Sequence, residues 1–441
     1  MSRYNRTPIF NLQLVVHQTG LAPDTLRAWE KRYNLPQPDR TSGGHRLYSE
    51  YDIEMLKWLV ARKEEGMSIG RAVALWRQLE AEGRDPLEAS LNPPQQPSTA
   101  TPLATGQAVA QVRQKWIAAC LAFNEETAEN ELAQAFALYP PDTVCLEVLQ
   151  NGLAEIGELW HRGQATVQQE HFASALAMRR LQAIVAALPR PTRTELILVG
   201  CPPEEEHSFG ALLLTLLLRR QGWRVTYLGA NVPLNKLSET LATVKPRLVV
   251  MPAQRLRAAA TLLEVASFLK GGHIPLAFGG NIFNQIPALP ARIPGHFLGA
   301  TLPGAVQKID HLLTTRLPLP PAIETPAACG RALEHYQTRQ ALIEVDLYFS
   351  PFAKELPPVQ LIAANRELAG NIVAALTLGD IHFADAEITW LETLLDNHQI
   401  PTLRLSRYLT AYQQAASANL AEAGAPIITW LERWTKPQEI K

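Results

Sequence analysis

A short acid–histidine motif follows the apolar segment TELILVG, and its residue types suggest metal chemistry. Glu205 precedes His207 by two residues, and Gly210 follows three residues later. Histidine is the commonest metal ligand, and a carboxylate hydrogen-bonded to its second ring nitrogen fixes the tautomer and raises the basicity. A Glu-x-His after a strand is short enough to arise by chance, so the motif is a candidate metal site only together with the features that accompany it.

A second group of candidate residues lies about 36 residues earlier, in the stretch LWHRGQATVQQEH. Trp160 is followed directly by His161, and nine residues separate Trp160 from the pair Glu170 and His171. Taken singly, a Trp on a helix usually belongs to a core, and a lone His is usually solvated or hydrogen-bonded. Their joint spacing makes them a candidate site.

The composition limits the setting of these residues. A chain of 441 residues with 47% hydrophobic residues predicts two to four domains with sizeable cores. Its 41 Lys and Arg nearly balance 42 Asp and Glu, so any basic surface must be local. Four dispersed cysteines without CxxC spacing argue against a zinc site or disulfide framework. The longest apolar run has about ten residues, so we expect a cytoplasmic protein without export signal or membrane span.

Two linker-like stretches divide the chain into an N-terminal module and a longer remainder that contains more than one folded region. The stretch at 89–107 is rich in Pro, Ser, Thr and Gln, as linkers are, and a second Pro-rich break lies at 316–328. We predict the following segments: an N-terminal head at 1–88, a linker at 89–107, a helical bundle at 108–189, a sheet domain at 190–318 and a helical extension at 319–441.

The predicted fold is multidomain and mainly α, with one α/β domain. Apolar residues at spacings of three and four indicate a four-helix bundle through residues 108–189. The runs TELILVG, RVTYLGA, RLVVMPA and IPLAFGG then alternate with amphipathic segments, which predicts a doubly wound, flavodoxin-like parallel sheet. Ligands of such sheets bind at the carboxyl ends of the strands, where Glu205 and His207 lie.

The N-terminal module has a local positive charge, with seven Lys or Arg and three Asp or Glu in residues 1–48. A helical segment with one basic face precedes turn residues and a short basic extended segment. The winged helix-turn-helix head of MerR-type regulators is closely resembled by one segment of this module, TLRAWEKRYNLPQPDRTSGGHRLYS. This resemblance implies a helix in the major groove, a wing on the phosphates and dimers on palindromic operators. The implied DNA-contacting residues are Thr25, Arg27, Arg32, Tyr33, Arg40, His45, Arg46 and Tyr48.

Asn34 stands where MerR-type heads commonly have Gly, and Asn also tolerates left-handed backbone.

The sheet domain resembles cobalamin-binding domains, whose signature is Asp-x-His-x-x-Gly. The resemblance implies that His207 ligates cobalt from below while Glu205 hydrogen-bonds its other nitrogen. Further residues that match the family at strand ends are Gly210, Leu228, Gly229, Gly279 and Gly280. One element departs from the family pattern after the third strand. This chain has Pro252-Ala253-Gln254 where the family has Ser-x-Leu or Ser-x-Thr, whose hydroxyl contacts the buried nucleotide tail of the cobalamin. Gln254 is the candidate replacement; a flavodoxin-like sheet without a ligand is the alternative.

The bundle resembles the cap of CarH-type cobalamin photoreceptors, which carries Trp, nine residues, then Glu-His. The resemblance implies that Trp160 packs against an upper adenosyl group, while Glu170 and His171 line the pocket for its ribose and base. His161 occupies the position that takes over the upper cobalt site after light breaks the cobalt–carbon bond.

These resemblances predict a light-responsive repressor, not an enzyme, in which adenosylcobalamin between helical cap and sheet controls oligomerisation and DNA binding. The expected partners are operator DNA and further copies of the chain, as a dimer or tetramer. A light-independent cobalamin sensor and a corrinoid methyl-carrier module are the alternatives. The C-terminal extension is unassigned: it is either extra packing or oligomerisation surface, or a second sensory or partner-binding site.

Overall fold

The computed structural model describes residues 5–19, 21–40, 44, 46–64, 69–81, 86–87, 102–315 and 318–435. The chain forms two compact units, Met1–Thr105 and Gly106–Lys441. Within the described residues, no helix is long and apolar enough to cross a membrane.

The head combines short helices with a small antiparallel sheet of order β1-β3-β2. Its elements are β1 (Phe10–Asn11), α1 (Leu12–Thr19), α2 (Pro23–Tyr33), β2 (Asp39–Arg40), β3 (Arg46–Tyr48), α3 (Glu50–Glu64) and α4 (Ile69–Ala81). Leu26 and Trp29 of α2 are buried, as helical spacing predicts. Asn34 ends α2 in the left-handed conformation, with φ of 54°, and its N–H donates to the Glu30 carbonyl. The expectation for Asn34 is therefore confirmed.

Four helices follow, as predicted for the bundle. They are α5 (Pro102–Leu121), α6 (Glu125–Leu138), a third helix made of Pro141–Thr143, the π-helical Val144–Gln150 and α7 (Asn151–His161), and α8 (Val167–Ala186). The predicted linker end at 107 is wrong, because α5 already begins at Pro102. Proline is well suited to the first position of a helix, where its missing N–H is not needed. The linker stretch 89–101 lies outside the described residues.

The sheet domain contains the four predicted strands and one more, all parallel, in the order β5-β4-β6-β7-β8. The strands are β4 (Leu196–Val199), β5 (Arg224–Tyr227), β6 (Leu248–Pro252), β7 (Leu276–Gly279) and β8 (His296–Phe297). The helices between and after them are α9 (Phe209–Arg220), α10 (Leu237–Val244), α11 (Leu256–Gly271), α12 (Asn281–Gln285) and α13 (Leu302–Thr315). This is the flavodoxin-like strand order.

The C-terminal region is helical, as predicted, and shares a hydrophobic core with the sheet domain. Its helices are α14 (Ala327–Tyr348), α15 (Pro358–Thr377), α16 (Asp385–Asn397), α17 (Leu403–Asn419) and α18 (Ala425–Thr435). Strand side chains alternate between faces, so Leu198 lies in the core with the C-terminal helices while Ile197 and Val199 lie in the core with the bundle. The sheet domain's own helices lie on the two faces of the sheet, with α9 on one face and α11 on the other. The bundle packs on α9 and the C-terminal region packs on α11, so the two regions belong to the cores on opposite faces of the sheet.

Close packing at Gly152 fixes the third bundle helix against the first. A Cβ added at Gly152 would lie 2.7 Å from a ring carbon of Trp116, whose side chain is fully buried. The same helix carries Gly157, where an added Cβ would meet no atom within 4 Å. The absence of a side chain at Gly152 therefore allows the helix that ends in Trp160 and His161 to approach the core.

Gly152→Ala should destabilise the apoprotein although alanine favours helix by about 1 kcal/mol over glycine. The overpacking against Trp116 costs about 1–3 kcal/mol, which outweighs that gain. We expect calorimetry to show a lower Tm, by about 2 °C for a net loss near 1 kcal/mol. Gly157→Ala is the matched control and should raise the Tm. A Gly152→Ala protein as stable as Gly157→Ala would show that the contact does not constrain the bundle.

Candidate functional site

The predicted acid–histidine pair forms at the carboxyl end of β4. Glu205 is fully buried, and its Oε1 lies 2.7 Å from His207 Nδ1 and accepts a 2.8 Å hydrogen bond from the His207 backbone N–H. Its Oε2 accepts a 2.6 Å hydrogen bond from the Gln254 backbone N–H. The His207 side chain remains 61% exposed. Because Glu205 occupies Nδ1, Nε2 is the ring nitrogen free to ligate a metal.

Gln254 connects the loops that follow β6 and β7. Its Oε1 accepts a 2.9 Å hydrogen bond from the Asn281 backbone N–H, directly after the predicted glycine pair. Gly280 adopts φ of 115°, and a Cβ there would lie only 1.9 Å from the Ala253 carbonyl oxygen. No other residue type fits that position. Gln254 therefore holds the glycine loop in place, so in this structure its side-chain carbonyl is used within the protein.

The remaining glycines leave space at the strand ends. A Cβ added at Gly210 or Gly229 would meet no atom within 4 Å, and one at Gly279 would meet nothing nearer than 3.8 Å. Leu228, whose N–H donates to the Val199 carbonyl at 2.8 Å, is only partly buried. An exposed imidazole with a carboxylate partner, beside strand ends that lack side chains, fits the lower side of a cobalamin.

Asn231 is a site residue that sequence reasoning missed. Its backbone N–H donates to the Glu205 carbonyl at 2.9 Å, and its Oδ1 accepts from the Glu204 N–H at 3.0 Å. Its Nδ2 donates to Glu206 at 2.9 Å. Three contacts from one side chain and its backbone fix the loop that carries the acid–histidine pair. The signal in the sequence was an Asn directly after the Leu228-Gly229-Ala230 strand end.

The bundle residues lie on two helices joined by the turn 162–166. Trp160 and His161 end α7 and are partly buried, and His161 Nδ1 is buried with no hydrogen-bond partner among the described residues. Glu170 in the first turn of α8 contacts its neighbour His171, with Oε2 2.8 Å from Nδ1, and accepts from Ser174 at 2.6 Å. The His171 side chain is 75% exposed. Glu170 and His171 are thus polar groups at the surface of the bundle.

A second residue that sequence reasoning missed contacts the bundle pair from the C-terminal region. The Trp390 ring stacks on His161, with centroids 5.2 Å apart, and lies 6.0 Å from the Trp160 ring. Sequence gave no signal for this contact, because Trp390 is about 230 residues from His161 and lies on an ordinary amphipathic helix.

In the head, the candidate DNA-contacting residues differ in exposure. Arg27, Arg32 and Arg40 are exposed, whereas Thr25 and Tyr33 are partly buried. His45 lies outside the described residues. The exposed guanidinium groups on α2 and β2 are available to bind phosphates.

The structure gives Arg46 and Tyr48 a different environment from the one expected for phosphate contacts. Both bind Glu30 of α2: Arg46 Nε lies 2.9 Å from Oε2, and the Tyr48 hydroxyl donates to Oε1 at 2.5 Å. Tyr48 is fully buried, and burial together with the Glu30 carboxylate raises its pKa. The expectation that Tyr48 contacts DNA directly is therefore wrong, because this side chain is buried and positions the wing strand against α2.

Comparison with known proteins agrees with this division of the chain. Residues 11–79 match the MerR HTH family regulatory protein model, and residues 112–184 and 195–299 match two models described as B12 binding domain. The chain is 32% identical to the HTH-type transcriptional repressor CarH of Myxococcus xanthus over 65% of its length and 94% of that protein. It is 31% identical to CarA of the same organism over 58% of this chain and 81% of that one.

The head alone is 40% identical over 53 residues to the HTH-type transcriptional regulator MlrA of Escherichia coli (strain K12), covering 12% of this chain and 22% of MlrA. The chain thus combines a MerR-type head with a B12-binding helical cap and a B12-binding sheet domain. It belongs to the family of MerR-type transcriptional regulators with B12-binding domains that includes CarH and CarA.

Proposed function

We propose that this protein is a cobalamin-dependent, light-responsive repressor. It binds operator DNA through its head, and adenosylcobalamin between bundle and sheet favours the oligomer that binds DNA in the dark. The observation that carries the proposal is the buried Glu205 carboxylate, which orients His207 with one ring nitrogen free. The relatives named as transcriptional repressors support the direction of regulation.

His207 is the proposed lower cobalt ligand, and Gly210, Gly229 and Gly279 leave room beside it, whereas Gly280 allows the close approach of its loop to Ala253. The carboxylate of Glu205 holds the tautomer and orientation of His207. Asn231 and Gln254 in turn hold the loops on either side of Glu205. The site is therefore preorganised by contacts within the protein.

His161 is the proposed upper ligand after light. Bound adenosylcobalamin would supply a cobalt–carbon bond that light breaks. With adenosylcobalamin bound, Trp160 would lie against the adenosyl group, and the polar groups of Glu170 and His171 would hold its ribose and base. The buried, unpartnered Nδ1 shows that His161 is not committed to a hydrogen bond within the described residues. If His161 moved to a bound cobalt after light, α7 would shift with it, and the shifted bundle would weaken the oligomer and its binding to DNA.

His207→Ala should lose the protein ligand without losing the fold, because the side chain is largely exposed. We expect the dark absorption spectrum with adenosylcobalamin to show no histidine on cobalt, and cobalamin retention through gel filtration to fall. The matched control is His311→Ala, an exposed histidine on α13 of the same domain. A His207→Ala spectrum identical to wild type would contradict the assignment.

His161→Ala should bind adenosylcobalamin normally in the dark, because the imidazole is not required there. Illumination with green light should give a spectrum of coordination by His161 and His207 in the wild type, and by His207 alone in the variant. Absorption spectra of both proteins, before and after light, check this. Identical illuminated spectra would make His161 an ordinary bundle residue.

Arg40→Ala should weaken binding to all DNA sequences alike, because a phosphate contact carries no sequence information. The slope of log affinity against log salt should become shallower by about one charge. Fluorescence anisotropy over a range of salt concentrations measures both quantities. Arg190→Ala, an exposed arginine outside the head, is the control. An unchanged slope in Arg40→Ala would remove β2 from the DNA contact.

A further inference from the structure

We infer that the C-terminal region is a lock on the light-responsive end of the bundle. Helix α16 and the two residues at and after its end hold Trp160, His161 and Gly163. The role given to His161 rests on the proposed function. The lock adds that movement of this imidazole requires release of the C-terminal region, which lies beyond the residues matched by the family models.

The aromatic part of the lock is the stack of Trp390 on His161. The two rings are 5.2 Å apart at an interplanar angle of 25°, and the Trp390 ring also lies 6.0 Å from Trp160. Trp390 is 37% exposed. It is therefore not a core residue of its own helix, and its ring contacts the rings of both Trp160 and His161.

The polar part of the lock consists of hydrogen bonds to the end of α7. Asn397 Nδ2 donates to the His161 carbonyl at 3.0 Å, and His398 Nε2 lies 3.0 Å from the Trp160 carbonyl. The last carbonyls of a helix lack partners within the helix, so Asn397 satisfies a His161 carbonyl that otherwise binds water, whereas the Trp160 carbonyl also accepts a 2.9 Å hydrogen bond from the Gly163 N–H. The contact fixes the backbone of His161 as well as its ring.

Gly163 allows the two segments to approach closely. It adopts φ of 68°, and a Cβ there would lie 2.9 Å from the Asn397 carbonyl oxygen. Any side chain at this position would be strained by the left-handed backbone and would clash with a main-chain atom. The turn after His161 is thus shaped to receive the end of α16.

The other end of α16 is anchored on the sheet domain. Ile388 is buried in the core shared with the sheet, while Trp430 Nε1, from α18 of the C-terminal region, donates to Asp385 at 2.6 Å. The Glu387 carboxyl accepts a hydrogen bond from the Leu256 backbone N–H and interacts electrostatically with Arg255 and, unfavourably, with Glu367; Arg255 and Leu256 directly follow Gln254. Helix α16 therefore joins the end of α7 in the bundle to the loop after β6 that also holds Glu205. Movement of the bundle must break the contacts between α7 and the C-terminal end of α16.

Trp390→Ala tests the lock in the full-length apoprotein by hydrogen exchange. We expect amides 162–165 to exchange about 2- to 10-fold faster, the factor that corresponds to loss of an aromatic pair. Trp390→Phe should stay near wild type because it keeps a ring. Thr393→Ala, an exposed position on the same helix, is the control. Unchanged exchange in Trp390→Ala, with wild-type Tm, would overturn the lock.

The loaded protein provides the second measurement. After light, the spectrum of His161 coordination should appear faster in Trp390→Ala than in wild type, and it should not form in Trp390→Ala/His161→Ala, which lacks the ligand. Equal rates in the single variant and wild type would also overturn the lock. If the wild type shows no His161 coordination while apoprotein exchange still responds to Trp390→Ala, the proposed function fails and the structural lock stands.

Discussion

The buried carboxylate of Glu205 is the constraint on which the candidate site depends. An ionised carboxylate removed from water is stable only when hydrogen bonds replace its hydration, and here His207 and the Gln254 N–H supply them. Those same bonds orient the imidazole and tie the loop after β4 to the loop after β6. Gln254 extends the connection to Asn281 and the glycine loop. One buried charge thus links three strand ends into a single surface.

The sheet domain that carries this surface shares its core with two helical regions, the bundle and the C-terminal region, which have different roles. The bundle shares the core on one face and presents Trp160 and His161, whereas the C-terminal helices share the core on the other face. Through α16 the C-terminal helices also contact the end of α7, so the bundle is held both by its own core and from outside. The C-terminal region therefore restrains the helix that carries Trp160 and His161 at the proposed pocket, and it is not a separate domain.

Local sequence signals predicted most of the fold. The apolar runs of β4 to β7, the four bundle helices and the left-handed Asn34 all follow from residue type and spacing. The two-residue β8 and the start of α5 at Pro102 were missed because short strands and helix ends have weak signals. The pairing of Glu205 with His207 was foreseen, since both lie in one loop. The burial of Tyr48 and the stack of Trp390 on His161 depend on tertiary contacts, which spacing does not encode.

The central claim is that light changes DNA binding through bound cobalamin. The wild-type protein loaded with adenosylcobalamin first selects a DNA sequence from a random pool in the dark. The most direct test is the affinity of the loaded protein for that DNA, measured in one sample before and after green light. The account predicts tight binding in the dark and weaker binding after illumination, with no light effect on apoprotein. Equal affinity in the dark and after light, with cobalamin retained, would contradict it and identify a light-independent cobalamin sensor.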